Sequence, residues 1–270
     1  MKLLQLMKKH PVASFYILTF LISWSGYIPQ VLYSYGLFPF QSMLFFIIGG
    51  LGPAISAIIV MHVLHRKNGV RKIFRALYRW RCSILWYVVA LFLYAFIWLA
   101  VIAIPNGVSL NLEKIPPWYM LIPFFIANMF MNVWEEIGWR GFALPELQSN
   151  YTALTSSIIV GAMWGLWHLP LLIMKDYPMS DYPILPFFIG VIASSLLYTW
   201  IYNNTQGSLL IVTIFHASGN TVGYFLGDAI NNIPALITYK SAVTSFIAVA
   251  VIILYGKEHL SRSFKRFYIS

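Results

Sequence analysis

The chain has 270 residues, of which 60% are hydrophobic, 17% aromatic and 10% charged, and its mean hydropathy is +0.74. A soluble domain carries about 25% charged residues, so a water-soluble core of this length could not bury so much apolar surface. These values exclude a soluble enzyme, a disordered tail and a nucleic-acid-binding protein, although the net charge is +10. The composition predicts an integral membrane protein in which most of the chain faces lipid.

The first apolar run covers residues 12–31 and follows a basic start, but it lacks a cleavage site of small residues. We therefore expect a retained first span rather than a signal peptide. Cys82 is the one cysteine of the chain, which excludes an internal disulfide and a cysteine-based metal motif.

Eight apolar runs are long enough to cross a hydrocarbon core of about 30 Å, which takes roughly 20 helical residues. Pro and Gly residues separate these runs. We predict an all-α, polytopic membrane protein with about eight transmembrane helices. Residues 1–270 form a single integral membrane domain with a motif-bearing core at about 118–228. The predicted spans are about 12–33, 42–64, 83–104, 118–148, 152–174, 183–203, 207–228 and 236–256.

Basic residues flank the apolar runs at three places, which together hold 14 of the 18 Lys and Arg residues. An even number of spans puts both ends and the loop after the second span on one side. The positive-inside rule then predicts cytoplasmic termini, and we expect the plasma membrane. Membrane lipids with anionic headgroups, and no nucleic acid, are the expected partners of these charges. They are Lys2, Lys8, Lys9, Arg66, Lys67, Arg71, Lys72, Arg75, Arg79, Arg81, Lys257, Arg262, Lys265 and Arg266.

The segment 70–81 within this loop has a basic face and apolar residues at helical spacing. Two interpretations are open: an amphipathic helix that lies along the headgroups, or a solvated loop.

Polar side chains inside the predicted spans are candidates for function, because each ionisable group costs roughly 2.5–3.5 kcal/mol at bilayer depth. Counted from the nearest predicted turn, those of three helices lie at similar depths. Glu136 and Arg140 are four residues apart and can pair, whereas Glu135 lies about 100° away round the helix without a local partner. The set is Glu135, Glu136, Arg140, His168, His216 and Asn220, with Trp164 as an apolar wall one turn before His168.

An unpaired carboxylate and two imidazoles in a low dielectric can hold a metal ion or activate a water molecule. An amide and the second imidazole can donate to an oxyanion. The sequence has no H-E-x-x-H and no G-x-S-x-G motif, and no pair of aspartates lies within the spans. A Glu, His, His, Asn set remains.

Three motifs in order carry a family resemblance. Residues 135–145, EEIGWRGFALP, resemble the EExxxR motif of the CAAX protease and bacteriocin-processing family (CPBP or Abi), which includes the Rce1-like prenyl proteases. Residues 164–170, WGLWHLP, resemble its FxxxH motif with Trp164 in place of Phe, and residues 215–220, FHASGN, resemble HxxxN. The Gly52-Pro53-Ala54 triplet resembles a further recurrent feature of the family.

This resemblance implies an intramembrane endopeptidase that cleaves hydrophobic or prenylated, membrane-associated peptides near their end. It implies that Glu135 is the general base, that His168 helps to activate the water, and that His216 and Asn220 stabilise the oxyanion. Glu136 and Arg140 would hold the helix, and the Trp164 departure removes no catalytic atom.

Other interpretations stay open. Glu135, His168 and His216 are also candidate Zn²⁺ ligands with water at the fourth position, although we prefer a metal-free mechanism. A non-catalytic immunity or scaffold protein of the same fold is a further hypothesis. A proton-coupled transporter that uses the same Glu and His residues as a relay is another.

Overall fold

The computed structural model describes residues 2–105 and 107–262, so Lys265 and Arg266 of the third basic cluster lie outside the described residues. Apart from an isolated β-bridge between Leu110 and Ile230, the regular structure in these ranges is helical, which confirms the all-α prediction. The α-helices are α1 (Lys2–Lys9), α2 (Pro11–Ser34), α3 (Met43–Leu77), α4 (Ile84–Ile102), α5 (Leu121–Gly138), α6 (Leu144–Gln148), α7 (Ala153–Trp167), α8 (Leu169–Ile173), α9 (Ile184–Asn204), α10 (Leu209–Leu226) and α11 (Ile233–Tyr255). Short 3₁₀ turns cover Leu112–Lys114, Trp118–Met120 and Gly227–Ala229, and a π-helical segment covers Trp139–Ala143.

Six helices in the described ranges are long and apolar enough to cross a membrane, namely α2, α3, α4, α9, α11 and α10 with the turn that follows it. Large apolar side chains such as Leu21 and Ile253 are 64% and 76% exposed on the outside of the bundle, as expected of a surface that faces lipid. The chain is thus an integral membrane protein.

The other two predicted spans are not regular α-helices throughout. Span 118–148 is continuously helical and consists of a 3₁₀ turn, α5, the π-helical segment and α6, whereas span 152–174 breaks between α7 and α8. Pro170 near the start of α8 lacks the N–H that would continue the helix. The count of eight spans and the cytoplasmic placement of the termini stay predictions.

The basic segment after the second span is helical up to Leu77, so the loop interpretation is wrong there. α3 has a break at Arg66, which has φ 54° and ψ −144°. Beyond the break Ile73 and Ala76 are buried while Arg71 and Arg75 are exposed. The segment is therefore an amphipathic helix with its apolar face packed on the protein, and its contact with headgroups stays a prediction.

Both ends of the described chain lie at one end of the bundle, together with this basic helix. The Ala153 N–H at the start of α7 donates to the Glu258 carbonyl at 2.8 Å. The Arg79 Nη1 donates to the Gln206 carbonyl at 2.8 Å, just before α10. A groove near the start of α2 is lined by Pro11 and by Glu146 of α6. This arrangement agrees with an even number of spans.

The Gly52-Pro53 pair sets how α3 meets its neighbours. A Cβ on Gly52 would lie 1.9 Å from the Ser23 Oγ of α2, and a Cβ on Gly138 would lie 2.5 Å from the Pro53 Cβ. Only glycine fits at these two positions. The close approach brings the end of α5, with its two glutamates, against α3, while α10 packs on another side of α5.

Candidate active site

The carboxylate of Glu136 lies at the centre of a buried charged cluster. It accepts hydrogen bonds from the Arg140 Nη1 at 3.0 Å and 3.2 Å, and both side chains are 0% exposed. The predicted pair is confirmed. Arg140 lies in the π-helical segment Trp139–Ala143, and such segments are frequent at functional sites.

A second donor, the His216 imidazole, also reaches this carboxylate. The Nδ1 of His216 lies 2.8 Å from the Glu136 Oε1, and His216 is 5% exposed. A carboxylate accepts hydrogen bonds, so Nδ1 carries the hydrogen and Nε2 is left for another partner. Sequence reasoning paired Glu136 with Arg140 alone and missed this contact, because His216 is 80 residues away along the chain.

The guanidinium of Arg140 lies between two aromatic rings. Its central carbon is 4.7 Å from the centre of the Trp164 ring and 4.0 Å from that of Tyr198. Its Nε and Nη2 atoms have no hydrogen-bond partner among the described residues. The ring faces therefore replace water around this cation, an interaction worth about 2 kcal/mol when it is desolvated.

Trp164 connects the other predicted residues. Its indole Nε1 donates to the Glu135 Oε2 at 2.9 Å, and its backbone carbonyl accepts from the His168 Nδ1 at 2.7 Å. The centre of its ring is 5.4 Å from that of His216. Trp164 lies beside His168 as predicted, with ring centres 5.8 Å apart, and it also binds the Glu135 carboxylate through an indole N–H that a Phe would lack.

His168 presents one nitrogen to the site. Its Nδ1 faces a carbonyl, which can only accept, so a neutral His168 carries its hydrogen there and a lone pair on Nε2. His168 directly follows α7, and Pro170 prevents that helix from continuing. The end of α7 thus fixes both the position and the tautomer of the imidazole.

Asn220 takes part in a ladder of polar contacts between α5 and α10. Sequence reasoning missed the two Asn residues of α5 in this ladder, Asn128 and Asn132. The Asn220 Nδ2 donates to the Asn132 Oδ1 at 3.1 Å, and the Asn128 Nδ2 donates to the Thr221 Oγ1 at 3.3 Å. With Glu136 and His216 these contacts recur at four-residue spacing along α5. That spacing of polar residues in an apolar helix was the available signal.

The structure brings the seven predicted residues together. They lie on α5, on α10, at the end of α7 and in the π-helical segment, as expected from their similar predicted depths. The candidate Zn²⁺ ligands do not, however, form a metal site. Among the described residues no group of three or more His, Cys, Asp or Glu side chains is arranged to hold a metal ion. Trp164 binds Glu135 and the His168 Nδ1, and Glu136 binds the His216 Nδ1.

Comparison with known proteins agrees with the motifs. Residues 116–222 match the sequence model of the type II CAAX prenyl endopeptidase Rce1-like family, and this range contains every residue of the candidate site. Over this range the chain is similar to the Rce1-like family. It is also 29% identical over 162 residues to the CAAX prenyl protease 2 of Methanococcus maripaludis, an alignment that covers 57% of this chain. The aligned region spans 54% of that relative, about half of its length.

The buried cluster around Glu136 predicts a stability effect. We expect Glu136→Gln to lower the free energy of unfolding by roughly 3–5 kcal/mol, because Arg140 would lose the charge that compensates it and His216 would lose a charged acceptor. Thermal unfolding in detergent measures this effect. Glu146→Gln, at a half-buried carboxylate outside the cluster, is the control. Equal melting temperatures for Glu136→Gln and the wild type would contradict a stabilising role of the cluster.

Proposed function

We propose that the protein is an intramembrane endopeptidase that cleaves hydrophobic or prenylated CaaX-type peptides with a water activated by Glu135. The main support for this proposal is that one residue, Trp164, positions both a carboxylate and an imidazole. Trp164 binds Glu135 through its indole and His168 through its backbone carbonyl. A carboxylate and a lone-pair nitrogen held in this way can orient and deprotonate one water molecule.

In the proposed reaction the water donates one hydrogen bond to Glu135 and the other to the His168 Nε2. Glu135 takes a proton as the water oxygen forms a bond to the scissile carbonyl carbon. The C=O electron pair moves to the oxygen, which becomes an oxyanion. The C–N bond then breaks, and the proton held by Glu135 passes to the leaving amine, so that two peptides are released and the carboxylate is regenerated.

The oxyanion would be stabilised from α10. The Nδ2 of Asn220 has a second N–H that makes no hydrogen bond with any described residue. His216 donates its Nδ1–H to Glu136, so in its imidazolium form it offers Nε2–H to the oxyanion. Donors already in place when charge develops are usually the largest contribution to catalysis of this kind.

The substrate class rests on the similarity to the Rce1-like family and on the surroundings of the site. The family description and the name of the relative both refer to prenylated CaaX substrates. His168 contacts Phe187, with ring centres 5.6 Å apart, so the site has an apolar border. An apolar site within a membrane protein suits a peptide that carries a lipid. We place the protein in the plasma membrane with cytoplasmic termini.

A first prediction concerns the base. Glu135→Ala should lower kcat/KM by roughly 10²–10⁴-fold, which is the usual contribution of general-base catalysis. The measurement is cleavage of a fluorogenic prenylated CaaX peptide by the purified protein in detergent. The unprenylated peptide tests the need for the lipid.

A control measurement tests whether the variant is still folded. Glu135→Ala should melt within a few degrees of the wild type, since Glu135 is outside the buried cluster around Glu136. A fully active Glu135→Ala variant would rule out the proposed mechanism. A folded wild type that cleaves no CaaX peptide would favour the scaffold or transporter hypotheses.

Trp164 gives a second prediction. Trp164→Phe should lower kcat/KM by roughly 10–100-fold, because hydrogen bonds to charged groups contribute roughly 1.5–3 kcal/mol and this one orients Glu135. Trp200→Phe is the control, since its Nε1 is buried without a hydrogen-bond partner among the described residues. Equal rates for the two variants would show that the indole N–H does not orient the base.

Metal dependence is tested separately. We expect 1,10-phenanthroline and EDTA to leave the rate of cleavage unchanged, because no group of three or more His, Cys, Asp or Glu side chains among the described residues is arranged to hold a metal ion. Elemental analysis of the purified protein gives the metal content. Inhibition by chelator that added Zn²⁺ reverses would contradict the metal-free mechanism.

A further inference from the structure

We propose that Asn132 is a positioning residue: its side-chain oxygen holds the Asn220 amide so that an N–H, and not the amide oxygen, faces the scissile carbonyl. This inference rests on the proposed function, in which Asn220 donates to the oxyanion. Asn132 is 3% exposed and accepts from the Asn220 Nδ2 at 3.1 Å. It lies one helical turn before Glu136 on the same face of α5.

The oxygen and the nitrogen ends of an Asn side chain have nearly the same shape, so packing alone does not decide which end points where. In this structure the oxygen of Asn132, and not its nitrogen, faces Asn220. An oxygen accepts only from an N–H, so the Asn220 nitrogen points towards Asn132. The second hydrogen of that nitrogen is then fixed in direction as well.

Orientation matters because the two ends of Asn220 have opposite effects on the reaction. An N–H stabilises the developing negative charge, whereas an amide oxygen in the same place would repel it. His216 lies one turn away on α10 and is fixed by Glu136. The two contacts from α5 would thus align both oxyanion donors of α10.

Asn128, in the neighbouring contact of the ladder, is an example of an Asn with a structural role only. Asn128 is 5% exposed, and its Nδ2 donates to both the Phe124 carbonyl and the Thr221 Oγ1. The Nδ2 of Asn132 is buried without a partner among the described residues. An unsatisfied buried donor costs roughly 1–3 kcal/mol, so Asn132 is a poor choice for helix packing alone. The hydrogen bond that the Asn132 oxygen accepts from Asn220 explains an Asn at this position better than helix packing does.

A kinetic double-mutant cycle tests the proposal. Asn132→Leu should lower kcat for the prenylated CaaX peptide by roughly 10–100-fold with little change in KM, and Asn220→Ala should lower it by roughly 10²–10³-fold. The double variant should be no slower than Asn220→Ala, because Asn132 acts only through Asn220. Losses that multiply in the double variant would overturn the proposal.

Asn128→Leu is the matched control, since it removes a buried amide from the same helix face one turn earlier. It should retain wild-type kcat, although it loses two hydrogen bonds and should be the less stable of the two single variants. Thermal unfolding of each variant separates a loss of fold from a loss of activity. An equal fall in kcat for Asn128→Leu and Asn132→Leu would show that both are structural, which also overturns the proposal.

A spectroscopic readout tests the contact without any activity. In protein labelled with ¹⁵N-Asn, the Asn220 side-chain signal is the one that disappears in Asn220→Ala. We expect Asn132→Leu to shift this signal and to speed its hydrogen exchange, while Asn128→Leu leaves it in place. An unchanged signal in Asn132→Leu overturns the inference. If the wild type cleaves no CaaX peptide, the proposed function fails while this measurement still decides whether Asn132 orients Asn220.

Discussion

The site depends on the compensation of one buried negative charge. Glu136 is 0% exposed, and moving a carboxylate out of water costs several kcal/mol even after the protein relaxes. The charge is tolerated because Arg140 and His216 both bind it. These three residues come from α5, the π-helical segment and α10, so the cluster that satisfies the charge also fixes how these elements meet.

This compensation separates the tasks of two adjacent glutamates. Successive residues of a helix point about 100° apart, so Glu135 cannot join the cluster that holds its neighbour. It faces α7 instead and receives a neutral donor, the indole N–H of Trp164. A neutral donor orients a carboxylate without cancelling its charge. In the proposed mechanism Glu136 therefore has a structural role, and Glu135 is the carboxylate that acts as the general base.

The sequence was sufficient where chemistry depends on neighbours along one helix. The pairing of Glu136 with Arg140, the shared face of His216 and Asn220, and the helical character of the chain follow from residue spacing, and all three are observed. The composition likewise predicted the membrane location, since six helices are apolar enough to span a bilayer.

The remaining features depend on how one helix is rotated relative to another. Residue spacing along the chain does not determine this rotation. The donation from Trp164 to Glu135 joins residues 29 apart, and that from Asn220 to Asn132 joins residues 88 apart. The close contact of Gly138 with Pro53 sets one such rotation. Both residues lie in motifs that the sequence analysis identified, but the sequence does not show that they touch. The π-helical segment and the break after α7 were missed because the apolar runs continue through both.

Several buried hydrogen-bond donors near the site have no acceptor among the described residues. They are the Nδ2 of Asn132 and the Nε and Nη2 of Arg140, and protein atoms cover them, so a bound peptide does not reach them. In the proposed mechanism the oxyanion meets the donors of α10 instead. Asn132 and Glu136 of α5 hold these two donors, Asn220 and His216, before any charge develops. Donors fixed in advance bind a transition state more strongly than a ground state, which is the condition for lowering the barrier to hydrolysis.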